Sequence, residues 1–265
     1  MFAVIKPLRT AGAVALAFSL SAAAIPAGAE VSLAPQVAVY DLSLDRSEDG
    51  SIAGASGRLA IQLTDTCEGY ALTERLVLEL APADGEVSVL DSQFSSYEDR
   101  NGELYRYSSQ LTVNGEPIDA TEGVGRFENG LGRAEIAKPT PGTLDLPPGA
   151  MFPLRFTVAM IKAAQDGARS FEGVYFDGDG ENPMVLASAQ FLAETTGDNA
   201  LKGHGRSWLT TIAFFALDAG SDAPIYQSNL RLYENGVADD MLLNYGSFAI
   251  RATLSDLEIL PTGCE

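Results

Sequence analysis

The sequence is poor in the residues that most often do chemistry. It has one histidine, two cysteines and one tryptophan, and only 17 basic residues against 36 acidic ones. The single histidine, His204, sits between Gly203 and Gly205. Flanking glycines read as a turn tip rather than the core of a Ser-His-Asp triad, where a neutral imidazole must take a proton from the nucleophile. No G-x-S-x-G elbow accompanies it. One histidine also excludes a His-rich zinc site, and the absence of C-x-x-C argues against redox work. No G-x-x-x-x-G-K phosphate loop occurs. Basic residues form no cluster, so nucleic acid is excluded as a partner, since phosphate binding rests on grouped Lys and Arg. The acidity should also repel anionic lipid surfaces, and its ordinary consequence is solubility.

Long apolar runs are missing everywhere but at the start. Lys6 and Arg9 precede an apolar, small-residue stretch from Ala11 to Ile25, followed by Ala27-Gly28-Ala29. This pattern is a secretory signal with an A-x-A-like cleavage site, which places the mature N-terminus at Glu30. Ser19 and Ser21 interrupt the run, which is short of the roughly 20 apolar residues that a membrane span needs. An uncleaved anchor is the rival reading. No cysteine follows the cleavage site, so a lipoprotein is not expected, and no later stretch suits a span. The plain n-region fits a bacterial chain and a periplasmic product. Removing residues 1–29 leaves 236 residues, and losing Lys6 and Arg9 takes the net charge from −19 to −21. Lys138, Lys162 and Lys202 are then the only lysines.

The two cysteines, Cys67 and Cys264, belong to an oxidising compartment, where an even count reads as a disulfide. Two separate thiols are the alternative. The 197 positions between them would make a long closed loop, and in the chain-entropy account such a closure stabilises by about 5 kcal/mol.

What the chain does have is turn chemistry and alternation. Asn-Gly occurs at 101–102, 114–115, 129–130 and 235–236. Each pair lies between alternating apolar runs, and Asn-Gly tolerates the positive φ of both central residues in a type I′ hairpin. Ala38, Tyr40, Leu42 and Leu44 share one face of a strand. Tyr70, Leu72, Leu76, Leu78 and Leu80 share another, with Thr73, Arg75 and Glu79 opposite. Phe248, Ile250, Ala252 and Leu254 continue the pattern, which then slips to Leu257 and Ile259. A bulge near Ser255-Asp256 accounts for the slip. One wet and one buried face is the antiparallel pattern.

Residues 153–167 break the rhythm and predict one main helix. Pro153 suits the first helical position, Leu154, Val158, Ile161 and Ala164 fall at helical spacing, and Gly167 suits the C-terminal cap. Phe156 and Met160 widen the apolar stripe, so the helix should lie against a sheet. The Pro- and Gly-rich stretch 138–149 could join two domains, but a bridge from Cys67 to Cys264 would tie any two halves together, and a single domain over 30–265 is preferred.

Asp177-Gly178-Asp179-Gly180-Glu181-Asn182 offers closely spaced oxygens of the kind calcium takes. The EF-hand order fails, with glycine at position four and Ser188 where the bidentate Glu should stand. A strand-to-strand turn is the simpler reading, and no metal or other cofactor is expected. A carboxylate pair for glycoside hydrolysis is the enzymatic alternative. The aromatics Phe94, Tyr97, Tyr105, Tyr107, Phe127, Trp208, Phe214 and Phe215 read first as core. The sharper reading is that some line a hollow between a curved sheet and the helix, as in carriers of acyl chains.

Several segments in this order resemble the EipB family of alphaproteobacterial periplasmic proteins. They are Ala38–Leu44, Cys67-Glu68-Gly69-Tyr70, Phe94–Glu98, Leu146–Pro153, Val174–Gly178, and Tyr233–Val237 through to Cys264. One departure is Phe176 within the Tyr-Asp-Gly stretch. The resemblance implies a β-spiral or half-barrel of many hairpin-linked strands wrapped around one helix, with a disulfide near the two ends of the chain. In outline this is similar to half-barrel carriers and sensors of lipoproteins. It implies a role in envelope integrity under stress, no catalytic residues, and carry-over of the disulfide cysteines to Cys67 and Cys264. The expected partners are a lipid, a lipoprotein or a periplasmic protein, a tetratricopeptide-repeat protein among them. The reading is therefore a non-catalytic, non-membrane-spanning periplasmic binding protein, with a secreted carboxylate-dependent hydrolase of envelope polysaccharide as the alternative.

Overall fold

The computed structural model describes residues 31–48, 50–178, 182–196, 205–217 and 223–263. The strands before the helix are β1 (Gln36–Ser47), β2 (Ile52–Asp65), β3 (Gly69–Pro82), β4 (Ser88–Asp99), β5 (Leu104–Val113), β6 (Glu116–Glu128), β7 (Leu131–Lys138) and β8 (Gly142–Leu146). Helix α1 (Pro153–Gln165) follows. Then come β9 (Ser170–Phe176), β10 (Met184–Thr196), β11 (Arg206–Ala216), β12 (Tyr226–Tyr233), β13 (Ala238–Asn244) and β14 (Phe248–Ile259).

All 14 strands join one sheet in the order 8-7-6-5-4-3-2-1-14-13-12-11-10-9. Each strand pairs antiparallel with its neighbour in sequence, and the last strand returns to pair with the first, with Leu42 opposite Ala252. The sheet's two free ends are therefore β8 and β9, the strands that α1 connects. The sheet curls until these ends approach. Tyr105 of β5 donates its hydroxyl to the Asp177 carbonyl just past β9 at 3.1 Å, and Tyr40 of β1 donates to the Ala238 carbonyl of β13 at 2.9 Å. Met151, just before the helix, takes the outer edge of β9. Its N–H donates to the Val174 carbonyl (2.9 Å) and its carbonyl accepts from the Phe176 N–H (3.0 Å). The result is a nearly closed, barrel-like ring whose seam is spanned by the helix and its leading segment.

Alternation places the core. Ala38, Tyr40 and Leu42 are buried while Asp41 and Ser43 are exposed. On β14 the slip is a bulge, because Val39 pairs with Asp256 and Tyr40 with Leu254, leaving Ser255 as the extra residue. The helix ends as its sequence predicts. Gly167 has φ +84°, and the Gly167 and Ala168 N–H groups donate to the Ala164 and Ala163 carbonyls, a Schellman closure. Phe156, Met160, Ile161 and Ala164 form its buried face.

The four Asn-Gly pairs all lie between neighbouring strands, but only two adopt the expected turn. Asn114 and Gly115, and Asn129 and Gly130, have positive φ at both residues. At 101–102 and 235–236 only the glycine does. The connections there are longer, and side chains complete them. Asp99 Oδ1 accepts from the Glu103 and Leu104 N–H groups (2.7 and 2.8 Å), and Asn235 Oδ1 accepts from Val237 (3.2 Å). A polar side chain that closes the loop removes the need for a two-residue reversal.

Under the seam lies a ring-packed cluster. Phe152 stacks on Tyr105 at 5.2 Å between centroids, and Phe176 meets Tyr105 and Tyr107 edge-on. Phe176, the family departure, is fully buried as the last residue of β9. It is a core side chain, not an interruption of the turn. Gly125 makes room for the cluster, since a Cβ there would lie 2.6 Å from Phe152 Cε1.

Candidate functional site

The inner face of the ring does not fill completely. A hollow of about 410 Å³ lies between β1–β5, α1 and the start of β13, within the range of about 300–1,000 Å³ typical of small-molecule sites. Strand register shows why it forms. Ala38, Ile61, Glu74, Phe94 and Ser109 stand in one row across β1 to β5. Alanine and serine at the two ends of that row are too small to meet the helix. Leu33, Leu63, Leu72 and Leu154 supply most of the remaining apolar lining.

Glu74 is the anomaly of this surface. It occupies an inward position of β3 between Leu72 and Leu76, and makes no hydrogen bond to any described residue. Burial pushes its carboxyl up to about 7. Its charge also raises the hydroxyls of Tyr40 on β1 and Tyr226 on β12, after burial, which is the larger cause for both. In the same lining, one row along and two strands over, Gln36 is only 6% exposed, and its Oε1 has no hydrogen-bond partner among the described residues.

The sign of the pH effect follows. The unfolded Glu74 ionises near its ordinary value, whereas the folded one holds its proton to about 7. The folded state thus binds more protons between these limits, so stability falls as pH rises through that window and stays lower above it. A rise of this size corresponds to about 3 kcal/mol. Glu74→Gln is expected to match the parent in urea unfolding at pH 4 and to exceed it by about that amount at pH 8. An equal gain at both pH values would show that the carboxyl's ionisation is not responsible.

A second inward acid has a structural task. Helix α1 begins at Phe152 without a side-chain cap of its own. Glu98, at the end of β4 and 2% exposed, supplies one from another strand. Its Oε2 accepts from the Leu154 N–H at 2.8 Å and its Oε1 from the Arg155 N–H at 2.7 Å. Burial raises this carboxyl to about 7, with the two backbone bonds pulling the other way.

The third polar assembly sits at the β2–β3 turn. Arg100 donates to the Cys67 carbonyl at 2.6 Å, to the Tyr70 hydroxyl at 3.3 Å, and to Asp65, while its guanidinium lies 5.0 Å over the Tyr70 ring. Against the rise that burial would bring, the Cys67 N–H and Arg100 hold Asp65 below its ordinary value. Cys67 itself has φ +68°, and its Sγ lies 3.2 Å from the Gly263 carbonyl oxygen. Cys264 lies outside the described residues.

Of the other residues read from sequence, Phe94 lines the hollow together with Tyr40 and Tyr175. Tyr105, Tyr107 and Phe127 pack in the seam cluster, and Trp208 in the core beside α1. Phe214 belongs to an aromatic run from Phe156 through Tyr175, Phe214, Tyr226 and the exposed Tyr245 to Phe248. His204 lies outside the described residues, as do positions 179–181 of the acidic run. Asp177 of that run lies in the connection between the paired strands β9 and β10, as a strand-to-strand turn would have it, and also lines the hollow. Among the described residues no group of acids, cysteines or histidines is placed to hold a metal, and no helix is long and apolar enough to cross a membrane. A shallower groove of about 690 Å³ runs over the outer face of β4–β7, lined by Arg106, Glu122 and Glu135 among others. Its mixed charges give it no distinct ligand chemistry.

Glu74 and Glu98 were the residues that pattern reading passed over. The signal was available, because each is a carboxylate at an inward position of an alternating strand.

Comparison with known proteins agrees with this architecture. The chain is 31% identical over 262 residues to the cell envelope integrity protein EipB of Brucella abortus (strain 2308), covering 95% of this chain and 93% of that one. The fold superposes with a TM-score of 0.82 on the crystal structure of a beta-barrel-like protein of domain of unknown function DUF1849 from Brucella abortus. That match has 29% identity and covers 87% of this chain and all of the other. Residues 27–261 match the EipB-like family profile, and the chain belongs to that family.

Proposed function

We propose that this protein supports the cell envelope from the periplasm by binding rather than by catalysis, holding the apolar part of a lipid or lipoprotein inside its ring. Residues 1–29 act as the cleaved export signal, and a Cys67–Cys264 disulfide ties the β2–β3 turn to the end of the chain. The observation that carries the reading is the apolar hollow beneath α1. The name of the Brucella relative supports the envelope role, and the position of Gly263 against Cys67 supports the bridge.

Native mass spectrometry of protein released gently from the periplasm tests it. An acyl-chain mass that leaves on denaturation is the expected result. A clean apo mass that persists after incubation with lipids and acylated peptides would overturn the lipid reading and leave a protein partner, such as a tetratricopeptide-repeat protein, in its place.

One observation favours a hydrolase as a second reading: Glu74 and Asp177 both line the hollow. A glycosidase works through two carboxyls that face each other across the bond to be cut. Burial is the cause that raises the Glu74 carboxyl, as an apolar surrounding alone would do. Cleavage of envelope glycans that Glu74→Gln abolishes would establish the hydrolase instead.

A further inference from the structure

We infer that the hollow selects an amphiphile with an amine head, seated with its cationic nitrogen on Glu74 and Gln36 and its tail among the leucines beneath α1. This deepens the binding reading and rests on it.

The polar inventory of the hollow is one-sided. Among the described residues its lining contains Glu74 and Asp177 but no Lys, Arg or His. Gln36 adds a buried carbonyl oxygen that accepts no hydrogen bond from the described residues. Three rings, Tyr40, Phe94 and Tyr175, also reach the lining, and aromatic faces attract cations. An ammonium group donates three hydrogen bonds and accepts none, which complements the carboxyl of Glu74 and the carbonyl of Gln36. A carboxylate or phosphate head would instead meet the buried Glu74 carboxyl, in a protein that is strongly acidic overall. Ser92, Ser109 and Thr157 add hydroxyls and the leucines, Ile61 and Pro153 make the remainder apolar, so a small amine without a tail would leave that part unmatched.

The location of Glu74 makes the selection sensitive to pH. The titratable groups that feel its charge are Tyr40 from β1 and Tyr226 from β12, and Tyr175 and Asp177 share the lining from the β9 side. Burial raises the hydroxyls of Tyr40 and Tyr226, which keeps them neutral across the physiological range. Its carboxyl ionises near 7, so affinity for a cation should rise as pH increases from 5.5 to 8, and binding should release a proton.

The experiment is calorimetric titration with dodecylamine, dodecanoate, dodecanol and butylamine, each below its micelle concentration, at pH 5.5, 7 and 8. Dodecylamine is expected to bind about tenfold or more tightly than the others at pH 8, with a preference that shrinks at pH 5.5. Glu74→Gln should lose that preference and its pH dependence while still binding dodecanol. Glu79→Gln, which removes the same charge from the exposed face of β3, should behave as the parent.

Equal weakening by both substitutions would reduce the effect to surface charge and overturn the inference. So would butylamine binding as tightly as dodecylamine. Binding of dodecanol and dodecanoate without preference for the amine would overturn the inference and leave the apolar hollow standing. Failure of every long-chain probe would overturn the binding reading itself.

Discussion

Glu98→Ala is expected to lower the unfolding free energy by about 3 kcal/mol and to loosen the seam of the ring before the rest of the sheet. The carboxylate accepts the first free N–H groups of α1 at 2.8 and 2.7 Å. Hydrogen bonds to a charged group are each worth about 1.5–3 kcal/mol, and a negative charge at a helix N-terminus adds a favourable dipole interaction. Part of that sum is offset by the cost of burying the carboxyl, which is why it ionises only near 7. Neither Phe152 nor Pro153 can replace it as an acceptor through its side chain. Alanine therefore leaves both N–H groups seeking water in a half-buried pocket. Glu98→Gln should fall between parent and alanine, since an amide keeps one acceptor oxygen and turns the other into a donor. Urea unfolding measures the total. Hydrogen exchange locates it, with the Met151, Leu154, Arg155 and Phe176 amides expected to lose protection first. Uniform loss over all strands would show that Glu98 stabilises the ring as a whole and not its seam.

The same residue shows where sequence reading stopped. Strands, hairpins, the helix and the β14 bulge were legible because each depends on local periodicity or a local backbone preference. Pro153 and Gly167 mark the ends of α1 through their own φ angles, and Ser255 betrays itself by a change of phase. Ring closure was not legible in that way. It rests on β1 meeting β14 and on Met151 meeting β9, which are pairings between segments far apart in sequence. Only the family resemblance pointed to wrapping around a helix. The helix cap comes from a residue 56 positions away, so no capping pattern beside Pro153 could reveal it.

The hollow was partly legible. Aromatics were expected to line it, and Phe94 does, yet Tyr105, Tyr107 and Phe127 went to the packed cluster at the seam. Alternation tells which side chains face inward but not which of them find a partner across the interior. Glu74 was the stronger clue. An acid amid four leucines on one strand face has to be paired, neutral or functional. The turn types at 101–102 and 235–236 were misread for a related reason: Asn-Gly permits a two-residue reversal, but Asp99 and Asn235 stabilise longer ones.

Cys67→Ser should produce the largest loss of all, up to about 5 kcal/mol in oxidised protein, if the bridge acts by restricting the unfolded chain. The loop that a Cys67–Cys264 bond would close spans 197 positions, and the entropy of closing a loop grows with its length. The native side adds little opposition, because the turn is already held in place. Arg100 binds the Cys67 carbonyl, Asp65 accepts the Cys67 N–H at 2.9 Å, and Gly263 packs so closely that a Cβ there would lie 2.6 Å from the Asp65 carbonyl oxygen. The serine variant therefore keeps the turn and removes only the tether. Its melting temperature should fall by roughly 10 °C or more, since each kcal/mol shifts a chain of this size by about 2–4 °C. Cys264→Ser should match it, and the double variant should be no worse than either single one, because two cysteines of one bond cannot lose it twice. The parent should bind no thiol reagent until reduced. An unchanged melting temperature in the single variants, or two alkylated cysteines in the unreduced parent, would remove the bridge and leave Arg100 to hold the turn and the packing of Gly263 on Asp65 to place the end of the chain.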